Sequence, residues 1–195
     1  MSVSLIVPYP TLKVMGDSLH LPCPRSEHLA KAPKSVTFVL VTVSTSRYLK
    51  VKSGEPVDDI SGDLMERIIK ESGHRILHRE IIPDSREHIV KILREYAGKA
   101  DVIIFSGGTG ISSSDITPDV VRSKADKEIP GFGELFRALS YKEIGPAAML
   151  SRASAYVVES TVVFCLPGSP RGVLLAMKKL IMPEISHIVY HARLG

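Results

Sequence analysis

Residues 105–110, FSGGTG, carry an apolar run straight into a turn with almost no side chain in it. Gly107, Gly108 and Gly110 allow positive φ and let a ligand come close to the backbone. N–H groups exposed in such a turn form a nest for a phosphate or another oxyanion. Ser106 and Thr109 add hydroxyl donors. The loop has no lysine at the P-loop position and does not read GxGxxG, so it is neither a Walker A loop nor a dinucleotide fingerprint. Residues 165–170, CLPGSP, repeat the pattern. Pro167 and Gly168 turn the chain, and Ser169 opens a helix whose N-terminus favours an anion. Either loop alone also reads as a tight strand-to-helix turn with an ordinary cap. The pair together points to an anionic ligand.

Two acids accompany these loops. Asp115 follows the glycine loop, and Asp84 opens the segment after another apolar stretch. Carboxylates beside an anion nest repel its ligand unless they hold Mg²⁺ or position a nucleophile. Each has a structural alternative: Asp84 to Glu87 match a capping box, and Asp115 fits a turn. Asp58 and Asp59 read as solvated acids of a mobile loop. His74/His78 and His187/His191 are spaced i,i+4, but no HExxH exists. The first pair spans a helix end and a strand, and the second reads as a solvated helix face. No GxSxG elbow is present for a serine nucleophile.

The elements around these residues alternate. SVTFVLVTVS, from Ser35, is a β-branched run that predicts a strand buried on both faces. A polar loop, RYLKVKSGEPVDD, follows. Ser61 is placed to cap a helix through LMERIIKES, stopped by Gly73. RILHREII predicts a second strand, and Ile89, Ile92, Leu93 and Tyr96 then recur at helical spacing. DVIIF is a third strand feeding the glycine loop. Thr117 and Pro118 look like the cap and first residue of a short helix. PGFGELFRALSYKEIG predicts a longer one. Its Phe132, Leu135, Phe136 and Leu139 form a core or subunit face, and Glu134 and Arg137 a solvated or interface pair. AYVVE and TVVFCLP predict a hairpin, and SPRGVLLAMKKLIMPEISHIVYHAR a helix broken near Pro183. This order predicts an α/β fold of three layers, αβα, with a mostly parallel central sheet. Ligands of such sheets sit beyond the carboxyl ends of the strands. VTVSTSR, IIPDSR, FSGGTG and CLPGSP all leave strands at that edge.

The totals agree with a single domain. The chain has 195 residues, 44% hydrophobic and 24% charged, which excludes a disordered chain. The net charge of +4 is spread along the length, without the basic run and interleaved aromatics of a nucleic-acid binder. Lys178 and Lys179 interrupt VLLAMKKLIM, so no membrane span is expected, and MSVSLIVPYP lacks the form of a signal peptide. Cys23 and Cys165 form no metal or disulfide pattern, and reduced thiols in a cytoplasmic protein are expected. Asn and Gln are absent altogether, which points to a thermophilic source. Residues 1–33 hold five of the 13 prolines and read as an extended N-terminal arm or a disordered tail, leaving 34–195 as the domain.

In combination these motifs resemble the MoaB/Mog-type molybdopterin-binding proteins of molybdenum cofactor biosynthesis. GGTG, D-x-T-P-D, PGFGELFR, LSR and LPGSP stand in that order. VTVS and DDISG extend the likeness, which runs from about Ser26 to about His191. The resemblance implies a central sheet between helices and a homotrimer or homohexamer. It implies a molybdopterin adenylyltransferase that uses MgATP, releases pyrophosphate and leaves a product ready for molybdate or tungstate insertion, with handover to an insertion protein. Carried over by position, Ser106, Gly107, Gly108, Thr109 and Gly110 line the pterin and nucleotide pocket. Ser44 stands in VTVS, Ser61 and Gly62 in the mobile loop, and Ser151 and Arg152 in the LSR turn. Pro167, Gly168 and Ser169 form the second anion loop. Asp84 and Asp115 match the acids associated with activity, and the resemblance makes them the catalytic and Mg²⁺-positioning groups, neither a covalent nucleophile.

Two positions depart from the family pattern. V-S-D is here Ser44 and Thr45, so one acid is missing. The arginine before Asp115 is Ser114, which removes a guanidinium suited to phosphate. Arg47 and Arg152 are the candidates to compensate. The retained acids favour an enzyme. Thr45 and Ser114 favour the alternative, a non-catalytic molybdopterin or cofactor binding or carrier protein. A third reading gives the same fold an unrelated phosphate-bearing ligand.

Overall fold

The computed structural model describes residues 31–194. All but the last three residues of the expected arm, and Cys23 with them, lie outside this range. β1 (Thr37–Val43) leads into α1 (Thr45–Ser53), α2 (Ile60–Glu71), β2 (Arg75–Ile82), α3 (Arg86–Tyr96) and β3 (Val102–Ser106). Then come α4 (Thr117–Arg122), the two-residue β4 (Lys127–Glu128), α5 (Pro130–Ile144) and a 3₁₀ stretch (Gly145–Leu150). β5 (Ser154–Val158), β6 (Thr161–Leu166), α6 (Pro170–Ala176), a π turn (Met177–Ile181) and α7 (Met182–Ala192) complete the described chain.

The sheet order is β2-β1-β3-β6-β5-β4. β2, β1, β3 and β6 are parallel, and β5 is antiparallel to both its neighbours. Alternate residues of β1 serve opposite layers. Phe38 and Leu40 join Met65, Ile69, Phe136 and Val173, so α2, α5, α6 and α7 cover one face. Val39 and Val41 join Ile89, Ile92, Leu93 and Val121, so α3 and α4 cover the other. This is the three-layer αβα fold expected from the alternation of strands and helices, with the hairpin of β5 and β6 in place.

Several local expectations are corrected. The polar loop after β1 holds α1, a helix that buries no residue. Its ends are fixed instead: Ser44 Oγ accepts from Arg47 N, and Gly54 at φ 76 closes the last turn. α2 is capped by Asp59 rather than Ser61. Asp59 is not solvated but 6% exposed. It accepts from Thr42 Oγ1 at 2.9 Å and Gly62 N at 3.1 Å, and it pairs with Arg79 at 2.8 Å. Burial opposes the charge of Arg79, but Asp59, Glu66 and Asp63 outweigh it and hold the guanidinium above its usual range. The last helix is interrupted near Pro183, as expected. The π turn precedes it, and Pro183 falls in the first turn of α7, where a missing N–H is tolerated. On α5, Phe132 and Phe136 are buried and Leu135 is exposed. Arg137 donates to the carbonyls of Ser151 and Ala153 rather than pairing with Glu134.

Candidate active site

The register of the parallel strands places their ends together. Val43 lies beside Ile82, Thr42 beside Ser106, and Ser106 beside Leu166. The loops after β1, β2, β3 and β6 therefore share one edge of the sheet. Three hydrogen bonds lock the glycine loops to each other and to α2. Gly107 N donates to Leu166 O at 2.9 Å, Ser106 Oγ to Pro167 O at 3.2 Å, and Ser61 Oγ to Gly168 O at 2.9 Å.

Beside these loops lies a cleft of about 790 Å³. Ser44, Arg47, Gly107, Gly108, Thr109, Gly110, Asp115, Ser151, Pro167, Gly168 and Ser169 line it, and Phe136, Ile144, Ala148, Leu150 and Leu175 add an apolar wall. Its size suits a small organic ligand. Of the residues expected at the site, Ser61, Gly62, Ser106, Asp84 and Arg152 stand outside this lining. Ser61 and Ser106 are buried struts for the second loop. Gly62 lies against Asp59, where a Cβ would come within 2.0 Å of Oδ2.

The need for glycine is specific. Gly107 has φ 121, and a Cβ there would meet the Val43 carbonyl oxygen at 2.2 Å. Gly108 has φ 63, and a Cβ would meet Thr117 Oγ1 at 2.4 Å and Asp84 Oδ1 at 3.3 Å. The N–H groups of Gly108, Thr109 and Gly110 find no acceptor among the described residues. Three unpaired donors on a cleft lining are an anion nest. Ser169 caps α6, its Oγ accepting from Gly172 N at 3.2 Å.

The two acids are held differently. Asp84 forms no capping box, since α3 is capped at Ser85 without a side-chain bond. Its Oδ2 instead accepts from Thr45 N at 2.9 Å and Thr45 Oγ1 at 2.8 Å, and its own N–H donates back to that hydroxyl at 3.0 Å. Thr45, where the family pattern has an acid, is thus a donor that fixes Asp84 and leaves Oδ1 near Gly108. Asp115 lines the cleft, and its Oδ2 accepts from Ser112 N at 2.9 Å. Arg152 is fully engaged. Nε donates to Gly110 O at 2.7 Å, Nη1 to both oxygens of Asp119 at 2.9 Å, and Nη2 to Asp115 O. It braces the glycine loop from behind.

Sequence reasoning missed Thr117. It was expected as a helix cap, but Ile116 takes that position. Thr117 is completely buried, and its Oγ1 has no hydrogen-bond partner, while facing Gly108. Its hydroxyl packs against the glycine loop, with Asp84 Oδ1 near the same glycine, and Thr117 stands off the cleft lining. No group of three or more His, Cys, Asp or Glu is placed to hold a metal among the described residues. His187 and His191 face each other, Nε2 to Nε2, at 3.0 Å.

Residues 39–187 match the family model described as "Probable molybdopterin binding domain". Molybdenum cofactor biosynthesis protein B of Bacillus cereus is 44% identical over 168 residues, 85% of this chain and 95% of that protein. The molybdopterin adenylyltransferase of Pyrococcus furiosus is 37% identical over 171 residues, 86% of this chain and 97% of that one. The crystal structure of the tungsten cofactor synthesizing protein MoaB from Pyrococcus furiosus superposes with a TM-score of 0.73 at 38% identity, covering 83% of this chain and 99% of the other. The matched span takes in most of β1, all four loops of the sheet edge and the first half of α7, and on these grounds the chain belongs to the molybdopterin-binding family of molybdenum cofactor biosynthesis.

Proposed function

We propose that this protein is a molybdopterin adenylyltransferase of molybdenum cofactor biosynthesis. The observation that carries the reading is the mixed lining of the cleft. It offers the unpaired N–H groups of Gly108, Thr109 and Gly110 to phosphate and the apolar Phe136, Ile144 and Leu175 to a ring. Molybdopterin and ATP both join a flat ring system to phosphate.

In the reaction, an oxygen of the terminal phosphate of molybdopterin attacks the α-phosphorus of ATP. A new P–O–P linkage forms, the bond from the α-phosphorus to the bridging oxygen breaks, and pyrophosphate leaves with that electron pair. The nucleophile is already an anion, so the reaction asks for alignment and charge neutralisation. The glycine loop and the Pro167–Ser169 loop hold the phosphates. Asp115 stands on the lining, and Asp84, clamped by Thr45, presents Oδ1 at Gly108. Mg²⁺, arriving with ATP, would be held by Asp84 and Asp115, whose carboxylates both bear on the glycine loop, together with phosphate oxygens, and would neutralise charge on the leaving group.

Assembly and location belong to the same proposal. Leu135, Tyr141 and Met149 are 57%, 61% and 73% exposed on α5 and the 3₁₀ stretch. Large apolar side chains left in the open support association of copies, read here as a homotrimer or homohexamer. No described helix is long and apolar enough to cross a membrane. A cytoplasmic enzyme that passes its product to a molybdate or tungstate insertion protein fits this reading. The test is incubation with molybdopterin and MgATP, followed by separation of products. Adenylylated molybdopterin and pyrophosphate in equal amounts are expected. Bound molybdopterin without product would make the chain a carrier.

A further inference from the structure

The cleft has phosphate-binding backbone but few free cations. Arg152 spends every guanidinium nitrogen on the protein. Arg137 gives Nη1 to two carbonyls and lies outside the lining. Ser114 leaves no cation directly before Asp115. Two arginines remain on the lining, Arg47 and Arg171. Arg171 is exposed at the start of α6, and Arg47 is half-buried in the first turn of α1.

Arg47 is fixed at its base and free at its tip. Its backbone N donates to Ser44 Oγ, a neighbour on the lining. Nε donates to the Asp58 carbonyl at 3.0 Å, which anchors the side chain without neutralising it. Nη1 and Nη2 find no acceptor, and no carboxylate pairs with the group, among the described residues. A guanidinium that lends only Nε to a neutral carbonyl keeps its charge and a pair of terminal donors, the fork that grips phosphate in two places.

We infer that Arg47 is the phosphate clamp of the cleft and supplies the guanidinium that Ser114 lacks. The inference rests on the reading that the cleft takes phosphate-bearing pterin and nucleotide. The phosphate belongs either to molybdopterin or to ATP, and the experiment separates the two.

Isothermal titration of MgATP and of molybdopterin, each alone, into the wild type, Arg47→Ala, Arg47→Lys and Arg171→Ala provides the test. Arg47→Ala is expected to weaken one of the two ligands by about 10- to 100-fold. The ligand that weakens identifies whose phosphate is held. Arg47→Lys keeps the charge but not the fork, and should recover part of the loss. α1 buries no residue and Arg171 is exposed, so the variants should fold, and matching thermal melts check this. Unchanged affinity of Arg47→Ala for both ligands would overturn the inference, as would a loss confined to Arg171→Ala. Failure of the wild type to bind either ligand is a different result, and it removes the functional reading on which the inference rests.

Discussion

Gly107 is the residue on which the shape of the site depends most, and its replacement by alanine is quantifiable. Two penalties combine there. The backbone holds φ at 121, a region alanine enters at a cost of about 1–3 kcal/mol. The added Cβ would also come within 2.2 Å of the carbonyl oxygen of Val43, the last residue of a central strand. Backbone cannot swing aside as a flexible side chain would, and such overpacking adds about 1–3 kcal/mol. Two control glycines separate the contributions. Gly54 has φ 76 and nothing within 4 Å, so Gly54→Ala carries only the backbone penalty, about 1–2 kcal/mol. Gly131 has neither obstacle, and Gly131→Ala should be neutral or slightly stabilising. Gly107→Ala should lose about 2–6 kcal/mol, and at about 2–4 °C per kcal/mol its melting midpoint should fall by roughly 4–24 °C. Far-UV circular dichroism of the three variants, with urea titrations for the free energies, measures this. Equal losses in Gly107→Ala and Gly54→Ala would refute the steric reasoning.

Other consequences are independent of the glycine loop. Asp59→Ala removes the cap of α2 and leaves the hydroxyl of Thr42 unpaired in the core, while Arg79 keeps Asp63 and Glu66. The expected loss is about 2–4 kcal/mol by denaturant titration, with a smaller one for Asp59→Asn, whose amide oxygen still accepts. Complete burial pushes the Cys165 thiol up to about 12. In a Cys23→Ser background, iodoacetamide at neutral pH should therefore modify the chain, as read by mass, only after unfolding. Burial works against the charge of Asp101, but hydrogen bonds from Thr37 and the contact with Arg193 outweigh it and hold the carboxyl below its usual range. That stabilisation is present above the ordinary carboxylate value and drains away as pH falls through the lower folded value. Asp101→Asn should therefore flatten the loss of unfolding free energy below about pH 4.

Much of the architecture was legible because its signals are local. β-branched runs ending in Gly, Pro or Ser turns mark β1, β3 and β6 without knowledge of their neighbours. The same turns placed both glycine loops on the carboxyl edge of a parallel sheet. What escaped depends on partners distant in sequence. α1 has no apolar stripe because it buries nothing, so TSRYLKVKS gave no periodic signal. Asp59 looked solvated because Thr42 and Arg79, which desolvate and pair it, come from β1 and β2. Asp84 matched a capping box, yet its carboxylate turned to Thr45, the first residue of α1. Arg152 matched a ligand-binding motif but is consumed by Asp119 and two carbonyls. At each of these positions residue type was readable from sequence and side-chain direction was not.

In the proposed reaction the cleft transfers an adenylyl group with Asp84 and Asp115 as the acids that position it. The most direct measurement is a single-turnover assay of adenylylated molybdopterin from molybdopterin and MgATP, run on the wild type, Asp84→Ala and Asp115→Ala, with molybdopterin affinity measured in parallel. The wild type should give stoichiometric product, and each variant should lose about 100-fold or more in rate while molybdopterin binding persists. Wild-type protein that binds molybdopterin yet forms no product, or variants that turn over at the wild-type rate, would contradict that reading.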